Sequence, residues 1–390
     1  MKKVLVPKVR FKGFSEEWKE DTIGNIANIT NGKLDANAMV KSGMYNFYTS
    51  GINVYKIDKY SFEGEGISIA GNGVNMGYMH LVSGKYNAYQ RTYILNNIKI
   101  DRHFLFYNLW KNFWEFCQKN TREGSIPYLL YNDISDFKIF KSHSNEQQKI
   151  GKLLDQISNL ITLEEIKHNK VKQLKETLLE KMFPEHNSKK PRIRFKGFKG
   201  EWKEYKFNDI GSYYSTSSLS YNDLSKGGQY KCVLYGELYT KYNERIFNVI
   251  YRTNKKITLT QPNDILFPTS TTVDSYSLIS PSCVNEENVM AGGDLFGIRP
   301  YKNINGNFIS YYINNVEYIK NKLANKAQGL TIIHLYYKNI LNENLYIASL
   351  EEQNKIAKLF VKIDTLISHY QSKLNKLKQI KKALINKMLL

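Results

Sequence analysis

The sequence predicts an α+β fold made of two similar halves, each a globular region followed by one long helix. Three observations lead to this prediction. A long run rich in leucine and charged residues occurs twice, and a short aromatic and basic segment also occurs twice. The regions between them combine short strand-like stretches with turn residues. Self-similarity at a fixed offset indicates a duplicated structural unit.

The long run extends from about Glu146 to Met182 and again from about Glu352 to Met388, at an offset of 206 residues (352 − 146). In the second copy, apolar residues recur in alternating steps of four and three from Ile356 to Leu377, at Ile356, Phe360, Ile363, Ile367, Tyr370, Leu374 and Leu377, and the pattern returns at Leu384 and Met388. This spacing is typical of a coiled coil. A helix of this length extends roughly 55 Å. Because its apolar stripe needs a cover, we expect the two copies to pack antiparallel against each other.

A second repeat precedes each globular region. Arg10–Phe14 with Glu17–Glu20 recurs as Arg194–Phe198 with Glu201–Glu204. The repeats divide the chain into residues 1–144 (lead and first globular region), 145–183 (first long helix), 184–204 (linker and second lead), 205–350 (second globular region) and 351–390 (second long helix).

The globular regions are rich in Tyr, Asn, Ser and Gly. Their candidate strands include Ile67–Ala70, Tyr93–Leu95, Tyr230–Leu234 and Ile265–Pro268. Each region also carries one predicted amphipathic helix, Phe104–Lys119 in the first and Phe308–Lys322 in the second. The two sequences align poorly with each other, which suggests two modules doing the same kind of work on different targets.

The charge of the chain favours a polyanionic partner. Lys and Arg number 56 against 36 acidic residues, a formal net charge of +20. Nucleic acid fits this excess best, and an acidic membrane surface is the second choice. No apolar run is long enough to span a bilayer. Three scattered cysteines without metal or redox spacing are expected to be reduced in a cytoplasmic protein.

Motifs for catalysis are missing from the sequence. It has no Walker loop, no Gly-x-Ser-x-Gly, no paired-histidine zinc motif and no Asn-Pro-Pro-aromatic or Asp-Pro-Pro-aromatic run. Gly71-Asn-Gly73 fits a β-turn better than a phosphate loop. We therefore expect a binding protein that is not an enzyme and that holds neither a metal nor a cofactor.

Taken together and in order, the repeats resemble the specificity subunit of type I restriction-modification enzymes. The resemblance covers nearly the whole chain. Its marks are the Arg-Phe-x-Gly-Phe … Trp leads at Arg10–Trp18 and Arg194–Trp202 and the Glu-Gln-x-Lys-Ile helix starts at Glu146–Ile150 and Glu352–Ile356. The helix ends at Met182 and Met388, and the loops Tyr48–Gly51, Gly124–Pro127 and Tyr131–Ile134, also fit.

This resemblance implies two target-recognition domains, each reading one half of a split sequence in double-stranded DNA, with the paired helices as a spacer. It also implies two modification subunits, which methylate adenine with S-adenosylmethionine, and two restriction subunits, which use ATP and Mg²⁺. The specificity subunit itself is not catalytic in this family.

Base reading needs polar side chains on loops that can enter a groove. In the first domain the candidates are Thr49, Ser50, Asn72, Asn75, Tyr89, Gln90, Arg91, Gly124 and Ser125. In the second they are Thr269, Ser270, Thr271, Thr272, Asp274, Gln328, Thr331 and His334. For any one of them, a role in a turn or a helix cap is at least as good an interpretation.

Two alternative functions stay open at this point. One is a fragment of a single-chain restriction-modification enzyme, whose methyltransferase part would lie on another chain, and it is close to the main interpretation. The other, a coiled-coil scaffold that presents two RNA- or protein-binding modules without a role in restriction-modification, would carry the same duplicated frame. Binding to random duplex DNA, with and without a modification subunit, distinguishes these functions.

Overall fold

The structure is a computed structural model that describes residues 5–119, 126–186 and 188–390. The chain forms two compact units, one of Met1–Lys167 with Tyr370–Leu390 and the other of His168–His369. Both divisions fall inside the long helices. Each unit therefore contains one globular region and a part of each long helix.

In the part that the structure describes, the globular region of the first unit contains two four-stranded sheets and one two-stranded sheet of short strands. Its strands are β1 (Lys19–Thr22), β2 (Asn28–Asn31), β3 (Tyr45–Tyr48), β4 (Val54–Ile57), β5 (Phe62–Glu63), β6 (Gly66–Ala70), β7 (Met79–Val82), β8 (Lys85–Ala88), β9 (Thr92–Asn96) and β10 (Lys138–Lys141). The helices are α1 (Ile23–Ile26), α2 (Arg102–Lys119), α3 (Tyr131–Ser135) and the long α4 (Ser144–Met182).

The globular region of the second unit contains strands β11 (Lys203–Lys206), β12 (Gly211–Ser215), β13 (Tyr230–Leu234), β14 (Arg245–Ile246), β15 (Arg252–Thr253), β16 (Thr258–Leu259), β17 (Ile265–Pro268), β18 (Ser270–Thr271), β19 (Ser282–Val284), β20 (Val289–Gly292), β21 (Leu295–Pro300), β22 (Ile333–His334) and β23 (Asn344–Ile347). Its helices are α5 (Tyr235–Glu237), α6 (Ser275–Leu278), α7 (Gly306–Asn315), α8 (Glu317–Ala324), α9 (Tyr337–Ile340) and the long α10 (Leu350–Met388).

The two globular regions share one topology although their sequences have diverged. The sheet β2-β9-β6-β7 of the first corresponds to β12-β21-β17-β19 of the second, which β14 extends at one edge. The sheet β4-β3-β8-β5 corresponds to β15-β13-β20-β16. In both of these sheets the central pair is parallel and the outer pairs are antiparallel. Duplication thus extends from the repeated helices through the strand order.

Local predictions of strands and helices are confirmed with one correction. The predicted strands lie within β6, β9, β13 and β17, and the first amphipathic helix is α2. The second predicted helix, Phe308–Lys322, is wrong as a single element because Val316 is extended and separates α7 from α8. The side-chain amides of Asn314 and Asn315 donate to the carbonyls of Ser310 and Tyr311 in the last turn of α7.

The long helices form as predicted, and they pack antiparallel. In the first unit, Ile157 and Ile161 near the middle of α4 cluster with Leu374, and Ile150 and Leu154 near its start cluster with Ile385 near the end of α10. In the second unit, the last turn of α4 packs with the first turns of α10, as antiparallel packing requires. The buried seam residues include Ile356, Phe360, Ile363, Leu374 and Met388.

Polar pairs accompany the apolar seam. In the first unit, the carboxylate of Glu164 is almost fully buried and accepts from Lys167 and Lys373, at 3.1 and 3.0 Å. These two ammonium groups lower the pKa of Glu164. In the second unit, Lys175 lies 2.8 Å from Asp364. A carboxylate that is removed from water is tolerated here because cations of both helices neutralise it.

A bidentate ion pair joins each lead to the start of a long helix. Arg10 donates to both carboxylate oxygens of Glu146, at 2.8 and 2.7 Å, and Glu146 is fully buried. Arg194 binds Glu352 with the same two distances. The indole of Trp18 also donates to Glu146, at 3.2 Å. The repeated Arg and Glu are therefore structural, because two fixed parallel hydrogen bonds set the lead against the helix.

The glutamine after each of these glutamates ties the helix start to the globular region. Gln147 donates to the carbonyl of Ser142 at 2.6 Å and accepts from the backbone of Asp101 at 3.1 Å. Gln353 makes the same contacts with Ala348 and Asn305. Since Asp101 precedes α2 and Asn305 caps α7, one side chain fixes the start of two helices in each unit.

Removing one partner of a buried ion pair leaves the other charge without compensation. We expect Arg10→Met to lower the free energy of unfolding by about 3–5 kcal/mol, because Glu146 stays buried and loses its guanidinium. Urea denaturation measures the change.

The matched control is Lys119→Met, which breaks an ion pair with Glu115 whose side chains are 70% and 67% exposed. An exposed pair of this kind is worth less than about 1 kcal/mol. Equal losses in the two variants would contradict the importance that we assign to burial.

Candidate nucleic-acid interface

The described candidate residues of the first domain gather at one end of its sheets. They lie on three segments: Thr49 and Ser50 after β3, Asn72 and Asn75 after β6, and Tyr89, Gln90 and Arg91 before β9. Gly124 and Ser125 lie outside the described residues. Because β3, β6 and β9 belong to adjoining sheets, their connections meet at a shared edge.

Hydrogen bonds hold these segments together. The hydroxyl of Ser50 donates to the side-chain oxygen of Asn72. The backbone of Gly71 donates to the carbonyl of Arg91 at 2.8 Å, and Tyr89 donates to the carbonyl of Tyr48 at 2.9 Å. Gly73 donates to the carbonyl of Pro127, also at 2.8 Å, which brings the segment before α3 to the same place. The loops are thus preorganised rather than independent.

The exposure of these side chains separates residues that can contact a base from residues that support the loops. Gln90 and Arg91 are exposed, whereas Thr49 is buried. Ser50, Asn72, Asn75 and Tyr89 are half-buried. Only groups that reach solvent can meet a base edge without rearrangement, so Gln90 and Arg91 are the best-placed candidates of this domain.

The candidates of the second domain occupy the corresponding end. Thr269–Thr272 follow β17, as Asn72 follows β6. The strand β18 pairs with β22, so that Ser270 lies opposite His334, just as Asn72 lies opposite Tyr128 in the first domain. Ser270 and Thr271 are buried, and Ser270 donates to Asp294 at 2.9 Å. These two residues therefore support the loop end, by which we mean the edge of each domain where these connections meet.

The remaining candidates of the second domain play different parts. Gln328 and His334 exchange backbone hydrogen bonds at 2.9 and 2.7 Å and close a hairpin. Thr331 lies exposed on its tip beside Leu330, which is 99% exposed. Asp274 caps α6 by accepting from the backbone of Ser277 at 2.7 Å. Thr272 is exposed next to the buried pair.

A cavity lies beside the loop end in each domain. In the first domain it lies between the β6–β7 connection and α2, and in the second it lies between the β17–β19 connection and the helices α5 and α8. In the first domain it measures about 340 Å³ and is mainly apolar, lined by Ile52, Asn75, Gly77, Tyr78, Met79, Trp110 and Trp114. In the second it measures about 730 Å³ and is lined largely by hydroxyl-bearing side chains, with Lys320 and Asp294. Burial lowers the pKa of Lys320. The two cavities both lie beside the loop ends, and the side chains that line them differ in chemistry.

Sequence reasoning missed several residues of these surfaces. Ile52 and Val74 are 55% and 93% exposed on the loops of the first domain. Trp110 and Trp114 are exposed on α2. Their four-residue spacing places them on a second apolar face of α2, a signal that the sequence contained. Asp294 could not have been found, because only the shared topology places it at the loop end.

Features of other binding classes are missing from the described part of the chain. Among residues 5–119, 126–186 and 188–390, no helix is long and apolar enough to cross a membrane. In the same ranges no group of three His, Cys, Asp or Glu side chains could hold a metal ion.

The two globular regions share one strand topology and differ in the residues at their loop ends. A family model of the type I restriction modification DNA specificity domain matches residues 15–173 and 199–379. The chain therefore belongs to the type I restriction-modification DNA specificity family.

Individual relatives agree with this assignment. The chain is 35% identical over 139 residues to the Escherichia coli type I restriction enzyme EcoDI specificity subunit, which covers 36% of this chain and only 31% of that protein. It is 25% identical over 307 residues to the putative type I restriction enzyme MjaX specificity subunit of Methanocaldococcus jannaschii, covering 75% of this chain and 68% of that one. The fold matches the crystal structure of a type I S subunit from M. genitalium with a TM-score of 0.68, at 19% identity and 99% coverage of both chains.

The cap of α6 generates a prediction about stability. Asp274→Ala removes the acceptor for the backbone of Ser277, and we expect it to lower the free energy of unfolding by about 1 kcal/mol. Hydrogen bonds from Ser277 lower the pKa of Asp274 in the folded protein. The cap is thus fully stabilising above the ordinary carboxyl pKa of about 3.9 and is lost as the pH falls below it.

The control is Asp274→Asn, which keeps an acceptor but does not titrate. Denaturation curves at pH 7 and at acid pH should show a cap contribution that depends on pH for Asp274 and not for the Asn variant. The same acid sensitivity in both proteins would contradict the assignment.

Proposed function

We propose that this chain is the DNA-binding specificity subunit of a type I restriction-modification complex, in which each domain reads one half of a bipartite target. The observation that carries the proposal is the shared topology with divergent loop ends: the first has exposed Gln90 and Arg91, and the second has a cavity of hydroxyl groups. The duplicated fold presents two domains that each bind DNA, and their different loops recognise different base sequences.

The chemistry of the complex would belong to partner subunits. Two modification subunits would methylate adenine with S-adenosylmethionine, and two restriction subunits would use ATP and Mg²⁺ to translocate and cleave DNA. The present chain would direct them to a site and would not catalyse a step. The net charge of +20 supports binding to the phosphate backbone, which supplies affinity irrespective of sequence.

The long helices would set the distance between the two half-sites. Both α4 and α10 are continuous over 39 residues. Their apolar seam and buried ion pairs, such as Glu164 with Lys373, support a stiff spacer. A stiff spacer fixes both the number of unread base pairs and the rotation between the grooves that are read.

Exchange of one domain tests the separation of specificities. Replacing Asp21–Ser144 with the corresponding segment of a relative should change one half of the methylated sequence and leave the other unchanged. The ion pair of Arg10 with Glu146 lies outside the exchanged segment, so the helix start is preserved. Methylation mapping in a host that carries the modification subunit reads the result. A change in both halves would mean that the domains do not read independently.

Insertion of four residues into α4 near Lys170 tests the spacer. One added helical turn lengthens the helix by about 6 Å, so the gap should grow by one or two base pairs. Both half-site sequences should stay the same, because the loop ends are untouched. The control is the same insertion in the linker that contains Ser188, which should leave the gap unchanged. If methylation mapping shows an active variant with an unaltered gap, the helices do not set the distance between the half-sites.

A further inference from the structure

The shared topology identifies two residues at equivalent places that carry opposite charges. Arg91 immediately precedes β9, and its carbonyl accepts from the backbone of Gly71 at 2.8 Å. Asp294 immediately precedes β21, and its carbonyl accepts from Thr269 at 2.9 Å. The neighbouring contacts also match: Leu129 donates to Gly71 at 2.7 Å, and Leu335 donates to Thr269 at 2.9 Å. The backbone hydrogen bonds at this position are the same in both domains, whereas the side chain is positively charged in the first domain and negatively charged in the second.

The guanidinium of Arg91 is not used by the fold. The side chain is exposed, and within the part of the chain that the structure describes it forms no ion pair and no hydrogen bond. Two other arginines of the first unit are structural: Arg10 binds Glu146, and Arg102 donates to Glu65 and to the carbonyl of Val82. An unpaired arginine beside a preorganised polar loop end is available for a partner.

We propose that Arg91 is the specificity-determining residue of the first domain and that it donates two parallel hydrogen bonds to O6 and N7 of a guanine in the major groove. A guanidinium has its donors in a fixed fork, and guanine is the base whose major-groove edge presents two adjacent acceptors. The neighbouring Ser50–Asn72 pair holds the adjacent loop in place, so the fork projects from a rigid edge.

Asp294 fits the complementary role in the second domain. Its carboxylate accepts from the hydroxyl of Ser270 at 2.9 Å and keeps further acceptor capacity towards solvent. An acidic side chain at a base edge accepts from the exocyclic amino group of cytosine and disfavours the acceptors of guanine. The duplicated position would then read guanine in one half-site and cytosine in the other.

This inference rests on the proposed function, because it assumes that the loop end meets the major groove. The experiment therefore uses the full chain assembled with its modification subunit and duplexes that contain the mapped target. Each guanine of the first half-site is replaced in turn by 7-deazaguanine, which lacks the N7 acceptor. Binding is measured at several salt concentrations.

For the wild-type chain, one 7-deazaguanine should weaken binding roughly tenfold. Arg91→Ala should weaken binding to the unmodified site by roughly tenfold to a hundredfold and become insensitive to that replacement. The matched control is Lys99→Ala, which removes an exposed positive charge beyond the other end of β9, where the ammonium donates to the carbonyl of Asn25 at 2.9 Å. This variant should keep the wild-type response. Retained recognition of the second half-site shows that the variants are folded.

A phosphate contact gives a different result and would overturn the inference. In that case Arg91→Ala weakens binding to all sequences alike and reduces the salt slope by about one, and no single 7-deazaguanine has an effect. If the wild-type complex shows no bipartite specificity at all, the proposed function itself fails, so the two failures are distinguishable.

The exchange of charge also allows a test by gain of function. Asp294→Arg should make the complex methylate sites with a guanine at one position of the second half-site, where the wild-type complex selects another base. Methylation mapping detects the new preference. Asp294→Ala is the control, since it removes the acceptor without supplying a fork and should only relax the position. An unchanged second half-site in both variants would contradict the equivalence of Arg91 and Asp294.

Discussion

The buried ion pair between lead and helix is the interaction on which each unit depends. Glu146 and Glu352 are almost fully removed from water, which is unfavourable unless a guanidinium binds both oxygens. Once the pair has formed, the adjacent glutamine can bind the backbone before the next helix, and the strand that follows the lead pairs with the strand that precedes the long helix. One constraint thus orders four segments that are far apart in sequence.

Sequence reasoning succeeded where a pattern follows directly from geometry. Heptad spacing predicted both long helices, and compact apolar runs predicted β6 and β17. It failed at Val316, where the backbone is extended and separates α7 from α8 although the apolar spacing continues across the break. It selected polar loop residues by composition, which the structure places near the ends of the sheets, but it could not separate exposed Arg91 from buried Ser270. That distinction depends on strand pairing between distant segments.

The two domains have the same fold but different surfaces, because backbone atoms stabilise the loop ends whereas side chains are left for recognition. The backbone bonds that close the loop end are equal in the two domains, so almost any side chain can project from them. In the first domain the adjacent cavity is lined by tryptophan and isoleucine, and in the second by serine, threonine and tyrosine. Loops carried on a rigid scaffold can change their contacts without disturbing the core.

The first unit is completed by the far end of the polypeptide. Ile385, Met388 and Leu389 pack with Trp18 and Phe104, and the backbone of Val9 donates to Lys387. During synthesis on the ribosome, this cluster therefore cannot form until Ile385, Met388 and Leu389 have emerged, whereas the separate cluster that contains Ile67 and Leu109 can form earlier. A premature stop codon before Ile385 would accordingly remove packing from the domain that is encoded first.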